Sequence, residues 1–341
     1  MGTKWLYWFE ELNSGHNDLV GKKCANLGEM TSLGMRIPPG FAISVEGYER
    51  FMAETGAGEE IRNFVRENEK DLGDVKGKLN ASQVIRNIIE SKEMPPGMQK
   101  ELFQFYDHLK ERIGSNEISV AVRSSGAVSM PGQMESYLNV CWKESVLKKV
   151  IQVWGSAFTT RAIAFRLEKG MALDKAPIGI AILKMVEAKS AGVVLTVLPT
   201  SGDTSKVVVE GNWGLGESVV SGEINPDQYI VDKESGEVES TINRKTKMIV
   251  YHDAGTRTID VPEGIQKMPC VDPEELKEIV RIAKNVEAHF QCPQDMEWVL
   301  DCTQSCPENL YWVQARPAKY SKAKEKESEY LAELMTRMFK F

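Results

Sequence analysis

Apolar and polar residues recur with two different periods along this chain. Up to about residue 120 the spacing is mostly helical and polar, and Pro38-Pro39-Gly40 and Pro95-Pro96-Gly97 predict turns. From about residue 178 short apolar, Val-rich runs take over. Ile178–Val186, Ala191–Leu198 and Lys206–Glu210 read as strands, as do Tyr229–Asp232, Val238–Ile242 and Lys247–Tyr251. A long helix then has its own start signal. Asp272 caps it, Pro273 fits its first position and Glu275 completes a capping box. Leu276, Ile279, Val280, Ala283, Val286 and Phe290 follow at helical spacing. Asp295–Asp301 and Leu310–Ala315 alternate as strands. Residues 319–329 are a charged linker, and Leu331, Leu334, Met335 and Met338 mark one face of a last amphipathic helix.

The chain has 341 residues, enough for about two domains and a sizeable core. Its net charge of −7 argues against a general nucleic-acid binder and leaves room for a local basic phosphate pocket. No apolar run is long enough to span a bilayer, and the aromatic run Trp5–Phe9 is too short for a signal-peptide core. Gly2 lacks the Ser or Thr that myristoylation requires at position 6. These features predict a cytoplasmic protein with no membrane partner. The six cysteines form no CxxC pair and no zinc spacing, so reduced structural thiols are expected.

The last two strands carry the most informative chemistry. Alternation puts Met296, Trp298 and Leu300 on one face and Asp295, Glu297 and Asp301 on the other. Symmetric pairing about the loop 302–309 sets Glu297 opposite Gln314 and Asp295 opposite Arg316, all on one face. A carboxylate, an amide and a guanidinium on one surface suit a metal–phosphate complex, in which Glu297 holds Mg²⁺ and Arg316 neutralises phosphate oxygens. A plain surface strand with a cross-strand Asp–Arg pair fits the same residues.

Three other stretches are weaker signals. Val122-Arg123-Ser124-Ser125-Gly126 follows a short strand, a setting in which backbone N–H groups can cradle phosphate. Lys22 and Lys23 open an apolar helical stretch, where a cation can meet phosphate at a helix start. Trp213-Gly214-Leu215-Gly216-Glu217 is a glycine-rich turn after a strand. Each also reads as an ordinary turn or a solvated lysine pair. The chain has no GxxxxGK[ST] loop, which argues against a P-loop NTPase.

As an ordered set these stretches resemble the nucleotide-binding domain of the phosphoenolpyruvate synthase and pyruvate phosphate dikinase family. The resemblance runs through Val20–Met30, Pro38–Phe41, Ala121–Ser125, Gly132–Glu135, Leu138-Asn139-Val140, Trp213–Glu217, Pro226-Asp227, Asp295–Trp298 and Gln314–Pro317, covering about residues 18–317. It implies an α+β, bilobed ATP-grasp fold with ATP between two lobes, residues 1–182 and 183–317, followed by a linker and helix at 318–341. It also implies that Lys23, or Lys22 in its place, contacts phosphate and that Arg123 and Arg316 act on the phosphate chain. Met185 and Val186 would meet the adenine, Glu217 would lie near the nucleotide, and Glu297 with Gln314 would ligate Mg²⁺. Lys22 stands where the family usually has glycine, and Leu183 where it often has glutamine at the adenine hinge, so backbone groups of Lys184–Val186 must serve the base. The loop 128–132 looks more like the dikinase form than the synthase form.

The four histidines, His16, His108, His252 and His289, do not lie in a Thr/Ser-His-Ala context like the family's phosphohistidine segment. The expectation is therefore an ATP-binding subunit that cleaves ATP to AMP and phosphate and passes the β-phosphoryl to a histidine on a partner subunit. Among such systems it resembles the stand-alone ATP-binding subunit of phenylphosphate synthase, in which phenol is the acceptor. A split phosphoenolpyruvate synthase, a rifampin phosphotransferase-like ATP domain and a non-enzymatic nucleotide sensor are the other readings. A homo-oligomer is compatible with the amphipathic last helix.

Overall fold

The computed structural model describes residues 4–320 apart from 129–133, 221, 223 and 254. The expected last helix falls outside the described residues, as do the linker beyond residue 320 and most of the loop 128–132. The chain clusters into two units. One runs to Met185 and takes in Tyr251–Thr256, and the other holds Val186–Val250 and the residues from Arg257 on.

The first unit follows the order β1 (Leu6–Trp8), α1 (Asn17–Ser32), β2 (Gly40–Ile43), α2 (Val45–Glu54), α3 (Ala57–Glu67), α4 (Val75–Glu90) and α5 (Pro96–Ile113). Then come β3 (Ser119–Ser125), β4 (Ser136–Cys141), α6 (Lys143–Ser156), α7 (Thr160–Glu168) and β5 (Gly179–Lys184). Its sheet has the order β1-β2-β5-β3-β4, each pair antiparallel. Its core is built from Trp5, Phe41, Phe51, Trp154 and Phe158 with the aliphatic faces of α4, α5 and α6. The helical reading of this region holds, but it omits β1 and β2. These are three and four residues long, too short to show a period, and they exist because Leu6–Trp8 pairs with Phe41–Ile43.

In the second unit β6 (Ala188–Leu195), β7 (Lys206–Trp213), α8 (Glu217–Val220), β8 (Asp227–Asp232) and β9 (Val238–Thr241) precede a hairpin of β10 (Lys247–His252) and β11 (Gly255–Asp260). Helix α9 (Pro273–Phe290), β12 (Gln294–Asp301) and β13 (Leu310–Pro317) follow. The six-stranded sheet has the order β13-β12-β6-β7-β8-β9 and is antiparallel throughout. Helix α9 begins as its sequence predicts. The Asp272 carboxylate accepts from the Glu274 and Glu275 N–H groups, and Glu275 accepts from the Asp272 N–H. Its apolar stripe, with Leu276, Ile279, Ala283 and Val286, packs beside β6, β7 and β12, and Met296, Trp298, Leu300 and Trp312 are buried. The polar strand β11 escaped the sequence pattern, since Thr256, Arg257 and Thr258 offer no apolar face. Pairing with β10 creates it.

Asp227 and Lys245 form a wholly buried ion pair at 2.6 Å in this unit. The carboxylate also accepts from the N–H groups of Asn243 and Cys270, so it ties three chain segments together. All six cysteines are free, as expected from their spacing. Among the described residues no helix is long and apolar enough to cross a membrane.

Candidate functional site

In the first unit the site begins with a break in α1. Gly21 has φ 77°, and a Cβ there would come within 1.9 Å of the Ser125 carbonyl oxygen, so only glycine fits. Helix resumes at Lys22, whose N–H donates to the Gly126 carbonyl at 3.0 Å, while the Cys24 N–H donates to the Ser125 hydroxyl at 3.0 Å. The last residue of β3 and the glycine after it thus cap the helix that carries both lysines, although about a hundred residues separate them. Burial pushes the Cys24 thiol up to about 12, while the Ser125 hydroxyl and the cations of Lys23 and Arg123 pull it the other way. Lys23 and Arg123 therefore share one neighbourhood over the helix start, where orphan N–H groups and the helix dipole favour an anion.

Met185 lies at the other end of the β3–β5 pair. Arg123 pairs with Ala181, and the Met185 N–H donates to Ser119, four residues back along β3. At ~3.3 Å per residue the two positions are about 13 Å apart. The expected backbone contacts to a base are partly taken. The Lys184 and Met185 N–H groups donate to the Pro39 and Ser119 carbonyls, and the Lys184 ammonium donates to the Met185 carbonyl at 3.2 Å. Val186 is buried at the start of the second unit.

In the second unit β12 and β13 pair in the register expected from symmetry, with Asp295 opposite Arg316 and Glu297 opposite Gln314. Beyond Glu297 the register slips by one residue, and Trp298 faces Trp312. This bulge at Val313 changes the parity of β13. Leu310, Trp312 and Ala315 stay in the core, while Gln314 and Arg316 remain on the open face with Tyr311. Asp295 Oδ2 accepts from Arg316 Nη2 at 2.7 Å and from Nε at 2.9 Å, so the cross-strand pair weighed as the plain alternative is present. It orients the guanidinium beside Glu297 and leaves a third nitrogen outside that contact.

The sheet adds one residue that the sequence reading missed. Glu297 faces Val193, Val193 faces Glu210, and Glu210 faces Gln228. Gln314, Glu297, Val193, Glu210 and Gln228 therefore form one row across five strands, each half-buried. Glu210 lies two strands from Glu297, about 10 Å away, and accepts a hydrogen bond from Gln228 Nε2 at 2.8 Å. The sequence offered a hint, a charged residue inside the Val-rich run 206–210, but its face depends on strand order. Glu217 is exposed at the start of α8, directly after the Gly214–Gly216 turn. Among the described residues no three His, Cys, Asp or Glu side chains gather closely enough to hold a metal by themselves. Glu297 and Gln314 are thus a short ligand set, of the kind that suits Mg²⁺ completed by phosphate and water.

These two polar surfaces, one per unit, belong to a recognised class. Residues 17–336 match the family described as pyruvate phosphate dikinase, AMP/ATP-binding domain. The chain belongs to that family and carries its nucleotide-binding domain. It is 37% identical to a probable phosphoenolpyruvate synthase of Methanocaldococcus jannaschii over 96% of this chain and 28% of that protein. It is 34% identical to the phosphoenolpyruvate synthase of Aeropyrum pernix, over 96% of this chain and 44% of the relative. With a probable phosphoenolpyruvate synthase of Methanothermobacter thermautotrophicus the identity is 35%, over 92% and 46%. The chain thus spans between 28% and 46% of the length of these curated relatives.

Proposed function

We propose that this chain is the ATP-binding part of a phosphoenolpyruvate synthase-type phosphotransferase, built as an ATP-grasp domain. In this reading the two units correspond to its lobes, near the expected boundary at 182/183. ATP is cleaved to AMP and phosphate, and the β-phosphoryl passes to a histidine outside these 341 residues. The observation that carries the reading is the Glu297–Gln314 pair with Arg316 beside it on one sheet face. A nucleotide sensor has no need of that set.

Catalysis here is positioning and charge neutralisation. Lys23 and Arg123 bind phosphate oxygens at the capped helix start, with Lys22 as a second cation. Met185 and Val186 border the base, and Glu217 lies near the nucleotide. Arg316, oriented by Asp295, neutralises charge on the transferring group. Glu297 and Gln314 would hold Mg²⁺. When bound, that ion supplies Lewis-acid polarisation of the phosphate oxygens.

The acceptor is proposed to be pyruvate-like, because the relatives are named as phosphoenolpyruvate synthases. Phenol, the acceptor in phenylphosphate synthase, has no support among them. The test is transfer from ATP labelled at the β-phosphate. We expect acid-labile label on a histidine-bearing partner or further domain, AMP in equal amount, and pyruvate-dependent loss of that label. Failure to bind ATP with Mg²⁺ would overturn the nucleotide reading. Loss of label to phenol and not to pyruvate would overturn the acceptor.

A further inference from the structure

The hairpin β10–β11 is moored at two places. At its stem, the Ile249 carbonyl accepts from the Leu215 N–H at 2.9 Å, and the Lys247 carbonyl accepts from Asn212 Nδ2 at 3.0 Å. The fit is close. Gly214 has φ 73°, and a Cβ there would lie 2.3 Å from the Ile249 oxygen. Asn212 Nδ2 also donates to the Ser218 hydroxyl. The stem therefore holds both flanks of the turn that ends in Glu217.

The tip of the hairpin, residues 251–256, clusters with the first unit. There one side chain takes hold of it. Asn139 is buried, and its Nδ2 donates to the carbonyls of Asp253 at 2.8 Å and Gly255 at 2.9 Å. Both amide hydrogens are used. The side chain reaches the tip because β4 bulges here. Val120 faces Val140 but Val122 faces Tyr137, so Leu138 and Asn139 together oppose Ala121. Asn139 sits at φ 54° and Asp253 at φ 46°, so both partners hold the left-handed backbone that most residues avoid. Backbone strain on both sides of one contact marks a geometry that the surroundings enforce.

We infer that Asn139 is a positioning residue for the nucleotide site: it holds the β10–β11 tip, and the hairpin stem in turn sets the Gly214–Glu217 turn. The inference rests on the proposed role of Glu217 beside the nucleotide. Asn139 acts only through the hairpin, without touching the nucleotide itself.

Two variants separate this from a general loss of fold. Asn139→Gly keeps a residue at ease at positive φ and removes only the amide. Asn139→Asp keeps the shape but sets a carboxylate against two carbonyl oxygens. Amide hydrogen exchange without nucleotide should rise in both variants at 212–218 and 247–260 and stay unchanged at 179–184. Mg·ATP should bind about tenfold more weakly, the equivalent of one or two lost hydrogen bonds. In a Glu217→Ala background, Asn139→Gly should weaken binding no further, because both changes act on one element.

Unchanged exchange at 212–218 in both variants would overturn the inference, whatever the nucleotide affinity. So would full additivity with Glu217→Ala. If the unaltered protein fails to bind Mg·ATP, the functional reading fails instead, and the exchange result still decides whether Asn139 sets the turn.

Discussion

The Cys24 N–H donates to the Ser125 hydroxyl, so the last residue of β3 caps a helix that starts about a hundred positions earlier. This contact, with the Gly21 break beside it, turns two weak sequence signals into one basic, N–H-rich surface. Ser125→Ala removes the cap and should cost about 1 kcal/mol of unfolding free energy. Gly21→Ala should cost more, of order 2–4 kcal/mol, because its Cβ has no room against the Ser125 carbonyl. Urea unfolding of the two variants checks the order. A Gly21→Ala protein as stable as the parent would contradict the close approach.

The phosphate role proposed for Lys23 separates the two lysines. Lys23→Ala should weaken Mg·ATP binding by about 10-fold or more, and Lys22→Ala by only a few-fold. Calorimetric titration of both variants reads this directly. Equal losses would mean that the lysines share the role.

On the second sheet Glu297→Ala and Arg316→Ala should each cost about 2–4 kcal/mol in phosphoryl transfer or nucleotide binding. Arg316→Lys should rescue little, since an ammonium cannot keep the paired contact to Asp295 Oδ2 while facing a phosphate. Glu210→Gln tests the carboxylate found two strands away. A dependence of binding on Mg²⁺ concentration that moves in Glu297→Ala and also in Glu210→Gln would place both on the metal–phosphate complex. Movement in Glu297→Ala alone would leave Glu210 outside it.

Lys245→Met should lower stability by about 3–5 kcal/mol, because it leaves the fully buried Asp227 carboxylate without its cation. Asp227→Asn in the same protein should restore part of that loss, since the amide carries no charge. Thermal melting of the single and double variants checks both steps. An additive double variant would show that the pair is not coupled.

The Cys24 thiol ionises at about 12 in the folded protein against an ordinary value of 9.0. The unfolded chain therefore loses this proton first, and the stabilising difference, full below pH 9, is lost progressively as pH rises from 9 toward 12. Part of the alkaline loss of stability should vanish in Cys24→Ala, measured against the parent between pH 8 and 10. Native alkylation should follow the same logic, sparing buried Cys24 and Cys270 and reaching exposed Cys302 first.

Much of the second unit is legible in the chain itself. The Asp272–Glu275 box, the stripe from Leu276 to Val286 and the alternation through Asp295–Leu300 are local patterns, and local patterns survive folding. The Glu297–Gln314 pairing was equally readable, because a hairpin of adjacent strands leaves little choice of register. The bulge at Val313 was not readable. It depends on fitting Trp312 and Ala315 into the same core, and it keeps Gln314 and Arg316 outward.

What only the tertiary structure decided lies between segments distant in sequence. Strand order put Glu210 in the row with Glu297, although nothing in the run 206–210 says which strands flank it. Packing brought Gly21 against Ser125 and closed the Asp227–Lys245 pair away from water. Short strands such as Leu6–Trp8 exist only through their partners. The sequence by itself determined periods, caps and the types of residue available for phosphate chemistry, because those follow from neighbours one to four positions apart. Which of those residues share a surface was set by strand order and by burial, which couple positions a hundred or more residues apart and leave no local trace.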